Sequence, residues 1–319
     1  RGGEAWGVEL QQLAPVLGPR QSSGGDAAPS LGGASSFFGR ELEMKVLADA
    51  FRETVRSGNA RSLVIEGQAG LGKRTLVEHF VHSLPRGSCA IFRAVGRWNA
   101  RNEPFGAFWS MIQRFLVIDE NTRPGEVVQK LTDYGVVDAG PLVQVLGGAL
   151  GLSVTDAVTV PPETFRDLSA RLIRRLIRSV ARREPALVVG ENLECVDQES
   201  LDVLKWWSFQ QAEFPIFGLV SGRPGPRVQQ LTRNSDIQAR LREEFDERAR
   251  ADFILQRFED PDDARSLAES ILASTGGHPL FIEEMLATLV NRGVITWTDS
   301  GRKLSVHAPD APLELPPSI

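Results

Sequence analysis

"SLVIEGQAGLGKRT", residues 62–75, decides how the rest of this chain is read. A short apolar run, Leu63-Val64-Ile65, is followed by three glycines, Gly67, Gly70 and Gly72, and then by Lys73. Apolar β-branched residues in a short run predict a buried strand. Glycines let the backbone take positive φ or approach an anion closely. The residues after Lys73, "RTLVEHFVHSL", have helical spacing. A strand, a glycine-rich turn and a helix start together aim backbone N–H groups and a helix's positive end at one point, which suits a phosphate. Lys73 adds a cation for the outer phosphates, and Gly67, Gly72 and Lys73 stand in the G-x-x-x-x-G-K register.

The pattern departs at one place. A Ser or Thr normally follows the lysine and offers its hydroxyl to Mg²⁺. Here Arg74 follows, and the hydroxyl arrives one residue late as Thr75. One step along a helix turns a side chain by about 100°, so Thr75 is not expected to reach the metal. Two readings stay open for Arg74. Its guanidinium contacts the phosphates and partly replaces the cation, or it points to solvent and metal binding is weakened.

Working outward, strands and helices alternate. "ELEMKVLADAFRETV" is helical, and "CAIFRAVG", "ALVVGE" and "PIFGLV" are further strand candidates, with "DFILQRF" as a fifth. Continuous apolar runs are the mark of strands buried on both faces. The expected fold is α/β: a parallel five-stranded P-loop sheet flanked by helices. Residues 120–160 are glycine-rich and give no clear element. After about residue 258 the pattern reads as helices only, "DPDDARSLAESILAS" and "PLFIEEMLATLVNRG". The expected organisation is residues 1–36 as the tail of an upstream region plus a Gly/Ser/Pro-rich linker, 37–258 as the nucleotide-binding core, and 259–319 as a small helical lid, cut before a winged helix. The chain opens on Arg and stops at "LPPSI", which reads as a segment of a longer protein.

The strand "ALVVGE" ends in Gly190-Glu191-Asn192, where a nucleotide-hydrolysing site needs one carboxylate for the metal shell and one to orient water. Glu191 can take the metal role. Asn192 cannot act as a base, although it can hydrogen-bond water. These two are the candidate catalytic positions, and Glu191 the candidate Mg²⁺ ligand. Binding survives these changes; hydrolysis is expected to be weak or lost.

Composition excludes several alternatives. A net charge of −5 and a pI near 5.6 give no overall bias toward nucleic acid or an anionic membrane. There is no apolar run of membrane-spanning length and no signal peptide. Cys89 and Cys195 make no metal-ligand spacing, which fits a reducing, cytoplasmic setting. No Ser-His-Asp or Cys-His arrangement stands out. The helix at 164–184 carries seven arginines opposite a complete apolar stripe, and reads as a solvated face. Trp206 and Trp207 read as a helix packing on the core.

Five segments in order, "FFGRELEMKVL", "GQAGLGKRTLVEHF", "ALVVGENLECVDQESLDVL", "GLVSGRPG" and "TGGHPLFIEEML", resemble STAND-class AAA-like ATPases. Within that class they are most similar to the Orc1-like AAA, or AAA-16, regulatory modules of bacterial multidomain signalling proteins. The resemblance implies ATP or ADP as ligand, with Mg²⁺, and a switch between nucleotide states in signal transduction or transcription control. It implies Gly39 and Arg40 near adenine or ribose, Arg223 at the phosphate end, and Pro279, beside His278, packed on the base. Gly67, Gly70, Gly72, Lys73, Arg74 and Thr75 complete the nucleotide set. Implied partners are the neighbouring domains of the longer chain and a homo-oligomer on activation, without membrane. The departures are Arg74, Glu191, Asn192 and the Glu194-Cys195-Val196 run before Asp197. The alternatives are a pseudo-ATPase scaffold and an origin-recognition-like DNA-binding ATPase. The latter needs a basic surface and a winged helix, so direct DNA contact is not expected.

Overall fold

The computed structural model describes residues 40–209, 213–233, 237–240, 247–298 and 303–306. The linker expected over 18–36 and the position Gly39 lie outside these. Among the described residues, those within 45–66 and 84–240 form one compact unit. Those within 15–44, 67–83 and 241–319 form another.

The first unit is a five-stranded, all-parallel sheet in the order β2-β3-β4-β1-β5. Its strands are β1 (Arg61–Glu66), β2 (Ala90–Val95), β3 (Ala186–Glu191), β4 (Ile216–Gly222) and β5 (Ile237–Arg240). Every residue of β3 and β4 is buried, as continuous apolar runs require in a sheet covered on both faces. Side chains alternate between the faces. Val64, Phe92, Val188 and Val220 join one core with α3 (Gly106–Phe115), α4 (Pro124–Asp133), α5 (Ala139–Leu146) and α6 (Pro162–Ala181). On the other face Phe217 meets the Phe51 ring of α1 (Glu41–Ser57) edge-on at 6.0 Å. Helices α7 (Gln198–Phe209) and α8 (Pro226–Thr232) complete the unit.

Three sequence expectations are corrected here. "DFILQRF" is not the fifth strand: it falls on α9 (Glu247–Leu255) and the turn after it, and β5 is the short segment 237–240 paired with β1. Ile254 lies in α9 and Phe258 just past it, in an isolated bridge with Leu304, and both are buried in one cluster. The stretch 120–160 is not structureless, since α4 and α5 bury Val127, Leu131, Leu142, Val143 and Leu146. The end of the chain is not helical only. After α10 (Arg265–Thr275) and α11 (Pro279–Asn291), β6 (Ile295–Trp297) and β7 (Leu304–Val306) pair antiparallel, and Ile295 and Leu304 enter the same core as the helices. Strands of three residues give too little alternation to read.

The second unit packs α9–α11 and the β6–β7 pair around Phe258, Ile271, Met285, Leu286 and Leu289. It also holds α2 (Lys73–Ser83). Among the described residues no helix is long and apolar enough to cross a membrane.

Candidate functional site

Because the sheet is parallel, its strands end at one edge. Glu66 is level with Gly222 and Val95 with Glu191. Ligands of open parallel sheets bind beyond this carboxyl edge. Three of the candidate segments begin there: the loop after Glu66, the turn after Glu191 and Arg223 after Gly222.

The loop after β1 is built as its glycines predict. Gly70 and Gly72 have φ of 79° and 75°, values that cost a residue with a Cβ about 1–2 kcal/mol. A Cβ at Gly72 would meet nothing within 4 Å, so φ alone demands glycine there. Gly67 and Leu71 are buried and fix the loop's ends. The first bond of α2 runs from Leu76 N–H to Gly72 O at 2.8 Å, leaving earlier N–H groups facing out of the helix start. Lys73 folds back over the loop, and Nζ donates to Gly67 O at 2.7 Å and to Gln68 O at 2.6 Å. An ammonium group held on the loop's carbonyls, at the head of an 11-residue helix, fits a phosphate chain.

Arg74 leaves the loop. Its side chain is 84% exposed and stands 3.9 Å from Glu78, one turn on. This is the solvent-facing arrangement of the two. Thr75 is half-buried on the first turn of α2.

At the end of β3, Glu191 is 6% exposed, and its Oε1 has no hydrogen-bond partner among the described residues. A buried carboxylate oxygen left without a donor is costly, and a hydrated cation would satisfy it. The donor set therefore fits Mg²⁺ held by one carboxylate together with water and phosphate oxygens. No group of three or more His, Cys, Asp or Glu is placed to hold a metal among the described residues.

Asn192 takes a left-handed conformation, φ 54°, and its Nδ2 donates to Gly96 O at 3.4 Å. The Gly96 N–H donates to Glu191 O at 2.8 Å. The turn after β3 is thus tied to the end of β2, and Gly96 admits no side chain there: a Cβ would lie 2.4 Å from Asn192 O.

Asp197 is a residue that site-by-site reading passed over. It is 3% exposed and accepts from Phe105 N–H at 2.9 Å, Ser200 N–H at 2.8 Å and Ser200 Oγ at 2.7 Å. It caps α7 and anchors the left-handed Phe105 that starts α3. The signal was legible: Asp-x-x-Ser just before an apolar helix is a capping pattern.

Arg223 is drawn to Glu194. Its Nε lies 3.3 Å from one carboxylate oxygen and its backbone N–H donates to the other at 3.1 Å. Arg40 is 7% exposed, with Nη1 2.9 Å from Glu43 at the start of α1. His278 is the residue before α11, with its ring 4.6 Å from that of Phe281. Pro279 opens α11, and its side chain lies outside the described residues. The arginine helix α6 is not wholly solvated: Arg174 and Arg178 stack on Trp206. Trp207 lies outside the described side chains.

A family model described as an AAA ATPase domain matches residues 36–208. An uncharacterized protein of Rhizobium meliloti (strain 1021) is 26% identical over 267 residues, covering 77% of this chain and 24% of the relative. The chain thus spans about a quarter of that relative's length. Among solved structures, the Aeropyrum pernix ORC1 protein in complex with DNA aligns with a TM-score of 0.47 at 13% identity, over 81% of this chain and 62% of that one. A STAND protein with a tetratricopeptide repeat sensor from Pyrococcus horikoshii gives 0.39 at 13% identity, over 85% and 41%. Drosophila ORC bound to DNA gives 0.37 at 11% identity, over 79% and 62%. The family match takes in β1, the glycine loop, Lys73 and the end of β3 and spans more than half of the residues, so the chain belongs to the AAA ATPase domain family.

Proposed function

We propose that this chain binds ATP or ADP and works as a nucleotide-dependent switch in signal transduction or transcription control, with hydrolysis weak or lost. The observation that carries the reading is Lys73, whose Nζ donates to Gly67 O and Gln68 O at the head of α2. A phosphate chain entering the loop exchanges these two carbonyls for phosphate oxygens. The lysine needs no large rearrangement to do so. Gly67, Gly70 and Gly72 shape the loop. Bound Mg²⁺ would neutralise phosphate charge, with Glu191 as its protein ligand. Thr75 and Arg74 then stand outside the metal shell. Asn192 can orient a water but cannot take its proton, which supports slow turnover.

Other roles extend this reading. Arg223 serves the phosphate end once it leaves Glu194. Gly39 and Arg40 serve the adenine or ribose, and Pro279 the base. Residues 37–258 act as the core and 259–319 as the lid, downstream of a linker ending at 36. The partners are neighbouring domains of a longer cytoplasmic protein and, on activation, further copies of the chain.

Calorimetric titration with ATP and ADP, each with Mg²⁺ and with EDTA, tests this beside Lys73→Ala. Binding abolished in Lys73→Ala and weakened in EDTA is expected, with Glu191→Gln removing the metal dependence. No binding in either buffer would overturn the switch and leave an interaction scaffold.

A further inference from the structure

The connection from β2 to α3, residues 97–104, is a strap whose two ends are tied to one segment, 191–197. At the first end Gly96 N–H donates to Glu191 O at 2.8 Å, and Asn192 Nδ2 donates to Gly96 O at 3.4 Å. The seat is close, since a Cβ on Gly96 would lie 2.4 Å from Asn192 O and 3.0 Å from the Cys195 carbonyl carbon. At the second end Phe105 N–H donates to buried Asp197 Oδ1 at 2.9 Å. Ser200 holds the same carboxylate, through its N–H at 2.8 Å and its Oγ at 2.7 Å. Between the ends the strap is braced by its own backbone, with Ala100 N–H bonded to Arg97 O at 3.1 Å and Glu103 N–H to Ala100 O at 3.0 Å. It carries Trp98, which is 73% exposed and has the Arg101 guanidinium 5.4 Å from its ring centre.

Three costly features meet at these anchors. Asn192 and Phe105 have φ of 54° and 60°, a region that residues with a Cβ seldom occupy, and Phe105 is bulky and buried as well. The third is the buried Glu191 Oε1, which has no hydrogen-bond partner among the described residues. Strained and unsatisfied groups persist where the surroundings over-determine them, and they concentrate at switch elements. A ligand shifts an equilibrium only through contacts that differ between two states. Glu191 offers that difference, because a hydrated cation satisfies its orphaned oxygen. The same residue's carbonyl is the strap's first anchor. We propose that the strap reads the occupancy of the Glu191 site: engagement of this carboxylate by Mg²⁺ and nucleotide repositions the 191–197 segment and carries Trp98 with it. The proposal rests on the nucleotide-binding reading above. Asp197 is a positioning residue in it, passing the movement to the strap's second end.

The test uses the whole chain with fluorotryptophan in place of its six tryptophans, read by fluorine NMR. The Trp98 resonance is the one missing from Trp98→Phe. The protein is saturated with ADP, in Mg²⁺ and in EDTA, and calorimetry follows binding in the same samples. The Trp98 resonance is expected to move by more than its linewidth with Mg²⁺ and ADP, and by less in EDTA. Glu191→Gln should bind ADP and lose the movement. Asp197→Ala should lose it too, with the Mg²⁺ dependence of binding intact. Asp197→Asn keeps an acceptor oxygen for Phe105 N–H and should retain the movement. If Asp197→Ala fails to fold by circular dichroism, Glu191→Gln and Asp197→Asn decide. A Trp98 resonance that stays in place while calorimetry records binding would overturn the strap alone. A movement that persists in Glu191→Gln would overturn it as well, marking direct contact of the ring with the nucleotide. No heat in either buffer would remove the nucleotide reading and the strap with it.

Discussion

Gly96→Ala separates a glycine kept for space from one that is merely tolerated. Its φ lies outside the left-handed region, so alanine is not strained by the backbone. The whole effect comes from the new methyl group. Built on the present backbone, it would stand 2.4 Å from Asn192 O and 2.9 Å from Val196 Cγ2. An ordinary carbon–oxygen contact begins near ~3.3 Å, so the carbonyl has to retreat by roughly 0.9 Å. Asn192 cannot retreat freely, because Gly96 N–H holds Glu191 O and Asn192 Nδ2 holds Gly96 O. Overpacking of this kind costs about 1–3 kcal/mol. For a unit of this size each kcal/mol moves Tm by about 2–4 °C, so a fall of roughly 2–12 °C is expected. Gly125→Ala is the matched control. It lies in the first turn of α4 with nothing within 4 Å of its Cβ, so no loss of stability is expected there. Differential scanning calorimetry of the two variants against wild type checks the pair. A Gly96→Ala protein as stable as wild type would refute the reasoning, because the contact that demands movement would then be absent in solution.

Two further outcomes follow from strained and buried groups. Val117 ends α3 with φ 51° and a side chain 74% exposed, and Ile118 N–H donates to Gln113 O while Val117 N–H donates to Arg114 O, a glycine-type helix end built on valine. Val117→Gly removes about 1–2 kcal/mol of left-handed strain against about 0.5–1 kcal/mol of added unfolded-chain freedom, so a small rise in urea midpoint is expected, and a fall would sink the assignment. Burial pushes the Cys89 thiol up from 9.0 to about 11, with the Glu184 charge adding to it and a hydrogen bond with Ser88 opposing. The folded state then holds the proton that the unfolded state releases, so this group's contribution is intact below pH ~9 and is lost as pH rises toward ~11. In a Cys195→Ser background the remaining thiol should react with a disulfide reagent far more slowly folded than in denaturant at pH 8; equal rates would contradict the burial.

Much of the sheet was legible because β1, β3 and β4 are continuous apolar runs, and such runs have few other uses in a chain with this alternation. The glycine loop was legible for a related reason. Its backbone demands are local, and Gly70 and Gly72 satisfy them by type alone. Short elements were not legible. Four residues of β5 and three each of β6 and β7 carry no period, and β5 pairs with β1, far away in sequence. "DFILQRF" misled because its β-favouring residues are shared between the last turn of α9, which buries Ile254, and the segment after it, which buries Phe258.

By itself the sequence determined the chemistry offered at the glycine loop and at the end of β3: which residues carry glycine freedom, a cation, a hydroxyl and one carboxylate. These follow from residue type and spacing, which chain geometry turns into direction. What only the tertiary structure decided is where those groups turn when several partners compete. Arg223 turns to Glu194, and the arginines of α6 and its C-cap turn onto Trp206 and Phe214. A long charged side chain reaches many neighbours, and its choice is set by residues brought near by the fold and not by its own neighbours in sequence.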